Sequence, residues 1–147
     1  MISKKEILIT FNQKPSNLEA SAGGDSVTKS IINFLLKKKI KVNFKLSKKS
    51  NLIFINNAKS FFFKKNFKYY LKKKRYYFNY EDLIKFNKEN PKIPILIRVN
   101  DTDAHRKSNF IDKQFIELFK ISSLNIFVSK WVKHYFKDKN KIGKNVI

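Results

Sequence analysis

The sequence predicts an α/β fold: a Rossmann-like, mostly parallel sheet with helices on both faces, in one domain spanning residues 1–147. Three observations lead there. Short β-branched apolar runs alternate with stretches whose apolar residues recur at helical spacing. Strands that alternate with helices build a parallel sheet covered on both sides. The chain has 147 residues, 42% of them hydrophobic, which fills one core and not two.

Taken in order, Ile7–Phe11 reads as a buried strand, and Asn12–Ser21 as the polar loop after it. Beyond Gly23-Gly24, residues Val27, Ile31, Phe34 and Leu35 stand at i, i+4, i+7 and i+8. They predict a helix capped by Asp25 or Ser26 and ending at Lys37-Lys38-Lys39, where cations suit the carboxyl end of the dipole. Ile40, Val42 and Phe44 alternate with polar residues as a strand, and Leu52–Ile55 forms another. A helix from Glu81 to Asn90 is stopped by Pro91. Ile93–Val99 reads as a buried strand with Pro94 near its start, where proline is tolerated. Ile111, Phe115, Leu118 and Phe119 mark a helix, and Ile126-Phe127-Val128 a short strand. Trp131, Val132, Tyr135 and Phe136 mark a last helix opened by Ser129, with Trp131 expected as a core anchor and His134 at the solvent edge.

The formal net charge of +22 suggests an anionic partner, but composition offers a second origin. Lys (30), Ile (18), Asn (16), Phe (15) and Tyr (6) are all encoded by A+T-rich codons, and Lys outnumbers Arg 30 to 3. A chain selected to grip phosphates usually keeps the planar fork of Arg, so nucleic acid is not the expected partner. The absence of cysteine excludes disulfides, a thiolate nucleophile and Cys-based zinc. No apolar run approaches the ~18 residues that span a bilayer. A cytoplasmic protein is expected.

In a parallel sheet ligands gather beyond the carboxyl ends of the strands. Two segments there carry chemistry. The glycines Gly23 and Gly24 allow close backbone approach to a ligand at a helix amino end, and equally allow a tight turn into a capped helix. The second segment runs from Arg98 to Arg106, with Asn100, Asp101, Asp103 and His105 between them. Its carboxylates suit proton acceptance or sugar hydroxyls and its arginines a phosphate oxygen. The competing expectation is an Asx-type turn whose acids cap the next helix and pair with Arg106. Asp101, Asp103 and His105 would suit a metal by ligand type, but no metal is expected from one loop. Between Ile95 and Phe119 four acids balance four bases, so the excess charge lies elsewhere.

Much of it lies in Ser60–Tyr80, with ten aromatic residues, seven basic and no acidic ones. Lys64, Lys68, Lys72, Lys73, Lys74 and Arg75 would form an anion patch there. Such a stretch fits a helix packed on the sheet with a solvated Lys face, a peripheral contact with an anionic membrane, or stacking on single-stranded nucleic acid.

The Asn-rich loop, Gly23-Gly24 with its helix, the run Ile97-Arg98-Val99-Asn100-Asp101-Thr102-Asp103, Asp112, the run Ile126-Phe127-Val128-Ser129-Lys130-Trp131 and the closing Gly143-Lys144-Asn145-Val146-Ile147 together resemble the amino-terminal half of a family-four-type glycosyltransferase. The resemblance leaves out residues 60–80, which read as an insertion. It implies half of a GT-B fold, acting without cofactor or obligatory metal on a nucleotide-sugar donor and a glycan or lipid-linked acceptor. It places Gly23 and Gly24 near the donor diphosphate, with Asn100, Asp101 and Asp103 on the acceptor side. Ile97 stands where many relatives have histidine, and a front-face retaining transfer chiefly needs a stabilised leaving group. The family runs on past Ile147 into a donor-binding domain, so the expectation is a fragment or one chain of a split enzyme, inactive alone, with a peripheral position at the inner membrane face as a further expectation. The alternative expectation is a non-enzymatic basic protein that binds membrane or RNA.

Overall fold

The computed structural model describes residues 6–15, 23–56 and 76–138. Five strands form one sheet: β1 (Leu8–Phe11), β2 (Lys41–Asn43), β3 (Leu52–Ile55), β4 (Ile95–Val99) and β5 (Leu124–Phe127). Their order is β2-β1-β3-β4-β5 and every pairing is parallel. The chain builds outward from β1 to β2, then returns to β1's other side for β3. This reversal makes a topological switch point between β1 and β3, the position at which open parallel sheets bind ligands.

Five helices are described: α1 (Gly23–Lys37), α2 (Tyr80–Glu89), the single turn α3 (Asp103–Arg106), α4 (Ile111–Phe119) and α5 (Lys130–Asp138). On one face, Ile31, Ile32 and Leu35 of α1 pack on Phe11, Phe54, Val42 and Leu96. On the other, Leu83 of α2, Phe115 and Leu118 of α4 and Phe136 of α5 close over Ile53, Ile55, Ile95, Ile97 and Val99. Strand alternation explains the split: Ile53 and Ile55 look one way and Phe54 the other, so β3 is apolar throughout. The two-faced α/β architecture expected from the sequence is the one found.

Local chemistry sets the ends. Asn79 caps α2 in a reciprocal box: its Oδ1 accepts from Asp82 N–H at 2.9 Å, and Asp82 Oδ2 accepts from Asn79 N–H at 3.1 Å. At α1's carboxyl end Lys39 takes φ 60°, letting Ile40 N–H reach Leu35 O at 3.0 Å. Ser129 Oγ accepts from Val132 N–H at 3.2 Å at the start of α5, as expected of its cap.

Several expected boundaries move. The α1 helix begins at Gly23, so Asp25 and Ser26 lie within its first turns and do not precede it. The expected strand Ile93–Val99 pairs only from Ile95, after Pro94, and β5 begins at Leu124 rather than Ile126. Trp131 is no core anchor: it is 54% exposed and stacks on Tyr135 with centroids 5.5 Å apart, while Val132 and Phe136 turn inward. Among the described residues no helix is long and apolar enough to cross a membrane.

Candidate functional site at the carboxyl edge of the sheet

Asn12, Asn56 and Asn100 are the first residues beyond β1, β3 and β4, so three amides stand at the carboxyl edge of neighbouring strands. Two of them meet at the switch point. Asn12 N–H donates to Phe54 O at 3.1 Å, and Asn12 Oδ1 accepts from Asn56 N–H at 3.0 Å. The Asn56 Nδ2 donates to Thr28 Oγ1 of α1 at 2.5 Å, and its Oδ1 accepts from Arg98 Nη1 at 3.2 Å. Gln13 Nε2 donates to Asp25 Oδ1 at 2.9 Å. Asn12, Gln13, Asp25, Thr28 and Asn56 are all buried. Buried polar groups must be bonded, so this network fixes α1's amino end against β1 and β3.

Gly23 and Gly24 form the first two residues of α1, and neither has positive φ. The turn expected to lead into them falls on residues 16–22, outside the described residues. Arg98 lies on β4, beside this network. Its neighbours Ile97 and Val99 point into the α4 side of the core, and Arg98 points to the α1 side. Burial lowers its pKa from the ordinary guanidinium value.

The segment after β4 folds into a second polar group. Asp101, with a side chain 12% exposed, accepts from Thr102 N–H at 3.1 Å, from His105 Nδ1 at 3.0 Å and from Arg106 Nε. A carboxylate has no proton to give, so the shared proton sits on His105 Nδ1, the tautomer in which Nε2 of an uncharged ring carries the lone pair. The His105 and Arg106 side chains are 64% and 55% exposed. Thr102 caps the short turn α3, accepting from His105 N–H at 3.1 Å.

Asp103 is committed differently. Its Oδ1 accepts from Ser108 Oγ at 2.6 Å, Ile111 N–H at 2.8 Å and Phe110 N–H at 3.1 Å, and its Oδ2 from Asp112 N–H at 3.3 Å. Burial alone would raise its pKa, but the Ser108 hydroxyl and these backbone N–H groups outweigh that and hold it below the ordinary carboxylate value. Asp112 reciprocates: its Oδ1 accepts from Asp103 N–H at 2.8 Å, and its Oδ2 from Tyr135 O–H of α5 at 2.7 Å. The two acids thus stitch α3 to the amino end of α4 and on to α5. This realises the expectation that the acids cap the next helix and pair with Arg106. Asn100, half-buried, has no side-chain hydrogen bond among the described residues.

The basic patch of Lys64, Lys68, Lys72, Lys73, Lys74 and Arg75 lies outside the described residues. Among the described residues no three His, Asp or Glu side chains gather as metal ligands, and Asp103's oxygens already serve the α4 cap. A shallow cavity of about 410 Å³ beside α2, between Lys45, Tyr77 and Phe86, shares no residue with either polar group. The residues missed by sequence reasoning are Asn12, Gln13, Thr28 and Asn56; Asn12 and Asn56 carried a signal, an Asn directly after a central strand, and Gln13 and Thr28 carried none. Compared with known proteins, the chain matches no family model, no curated protein and no solved structure.

Proposed function

We propose that this chain is the acceptor-side domain of a glycosyltransferase, which moves a sugar from a nucleotide-sugar to a glycan or lipid-linked hydroxyl and is completed by a second, donor-binding α/β domain. The observation that carries the reading is the placement of Asn100–Arg106: a polar segment leaving the carboxyl end of β4 beside the switch point, stiffened by Asp101. Ligands of open parallel sheets bind at such edges. Amide, carboxylate and imidazole groups can all bond sugar hydroxyls, and the segment carries all three, the last two held to each other.

In the transfer the bond from the anomeric carbon to the diphosphate breaks, and the nucleoside diphosphate keeps the electron pair. The acceptor oxygen bonds to that carbon and loses its proton. His105 Nε2 is the proton acceptor in this reading, and Asp101 is its positioning residue, holding the proton on Nδ1. Asn100 offers its amide to the substrate. Asp103 and Asp112 act by keeping the segment rigid, so the reading moves Asp103 from direct chemistry to support.

The test joins this chain to a following donor-binding domain and measures release of nucleoside diphosphate from a panel of nucleotide-sugars, with and without saccharide acceptors. Acceptor-stimulated release is expected. His105→Ala should lower kcat by about 10²-fold or more with little change in KM. The absence of stimulated release with every donor and acceptor pair, from a folded two-domain protein, would overturn the reading.

A further inference from the structure

Arg98 is a charge without a counter-charge among the described residues. Among the described residues no carboxylate lies within ion-pair distance of its guanidinium, whose single hydrogen bond goes to the neutral Asn56 Oδ1 at 3.2 Å. One donor of five is used. The group is half-buried, and the lowering of its pKa has burial as its cause, so the surroundings disfavour the charge without repaying it. Guanidinium cannot escape by losing its proton at physiological pH, and buried charges are ordinarily paired. The acids of the two polar groups are engaged with other partners: Asp25 accepts from Gln13, and Asp101 from His105 and Arg106.

The direction of the side chain is also fixed. Asn56, which receives Arg98, is itself held through its backbone N–H by Asn12 and through its amide by Thr28. The strand beneath is immobilised by Ile97 and Val99, both fully buried. The guanidinium is thus held at the carboxyl edge of the sheet, beside the switch point, by a bonded frame. We propose that Arg98 anchors an oxyanion site at this edge, taking a phosphate or carboxylate group carried by the sugar substrate. Only the word sugar rests on the glycosyltransferase reading; the capture of an oxyanion rests on Arg98 itself. The planar fork matches the paired oxygens of either group, and lysine would not reproduce that match.

The chain's excess of lysine will draw anions everywhere, so the test must be local. Backbone amide NMR of the chain is followed during titration with inorganic phosphate, uridine diphosphate and glucuronate, for the wild type, Arg98→Gln and Arg98→Lys. Saturable shifts are expected at Asn12, Thr28 and Asn56, weakened about tenfold or more in Arg98→Gln, with Arg98→Lys intermediate. Tighter binding of uridine diphosphate assigns the oxyanion to the donor, and tighter binding of glucuronate to an acidic acceptor. The tighter ligand should also raise the unfolding temperature of the wild type more than that of Arg98→Gln. Equal shifts and equal stabilisation in the two proteins would overturn the site. A functioning oxyanion site in a completed enzyme that transfers no sugar would leave the site standing and remove the transferase reading.

Discussion

Replacing Asp103 by alanine tests whether the rim after β4 is held by its acids. Four donors converge on this carboxylate: Ser108 Oγ at 2.6 Å and Ile111 N–H at 2.8 Å are short, Phe110 N–H at 3.1 Å is exposed, and Asp112 N–H at 3.3 Å is long. Hydrogen bonds to a charged group contribute about 1.5–3 kcal/mol each when well made, and bonds sharing one acceptor do not add. Counting the two short bonds and discounting the others gives a loss of about 3 kcal/mol for Asp103→Ala. An ordinary cap deletion costs about 1 kcal/mol. Asp103→Asn keeps an acceptor and loses the charge, so it should cost about half as much as the alanine variant. Because Asp103's folded pKa lies below its unfolded value, its contribution is present above the unfolded pKa and is lost as pH falls through the folded one. Urea unfolding followed by circular dichroism, from about pH 6 down to about pH 3, reads both effects. The wild type should lose stability over that range faster than Asp103→Asn. A loss under about 0.5 kcal/mol in Asp103→Ala, or parallel pH curves, would refute the assignment of Asp103 as the cap of α4.

The other acid of the pair gives a complementary expectation: Tyr135→Phe removes the hydroxyl on Asp112 Oδ2 and should cost about 1–2 kcal/mol in urea unfolding, since it leaves a buried carboxylate oxygen short of a donor. Phe136→Ala should cost about 3–5 kcal/mol by the same measurement, because this fully buried ring meets Phe115, Phe119 and Phe127 within about 6 Å. Asn79→Ala breaks the capping box of α2 and should cost about 1 kcal/mol, with lost hydrogen-exchange protection confined to that helix's first turn.

The fold was legible because its signals are local. Leu52–Ile55, and the stripes Ile111, Phe115, Leu118 and Val132, Tyr135, Phe136, each declare their element within a dozen residues. The turn α3 was not legible: four residues, Asp-Ala-His-Arg, cannot show an apolar period, and its formation depends on the Thr102 cap. Trp131 misled because its spacing to Tyr135 is helical, yet a helix on the outer face of a sheet buries only a stripe, and Trp131 lies at that stripe's flank. The switch-point network was hidden for a stronger reason. Asn12 and Asn56 are 44 residues apart and Arg98 is 42 beyond Asn56, so only the strand order unites them. Each alone reads as a polar residue after a strand.

β4 adds Arg98 to the first polar group and leads directly into the second, so its register places both. Ile95, Ile97 and Val99 are sealed under α4, and that alternation compels Leu96 and Arg98 to the α1 side. The pairings Ile55 with Ile97 and Arg98 with Ile126 lock the strand between β3 and β5. A slip of one residue would drive Arg98 among Leu118, Phe115 and Val132, where an unpaired guanidinium costs several kcal/mol. The same slip would draw Asn100 and Asp101 into the sheet and separate Asp101 from His105 and Arg106. The charge on Arg98 therefore works twice in this structure: it opposes the wrong register, and in the right one it stands at the carboxyl edge with one donor of five bonded among the described residues.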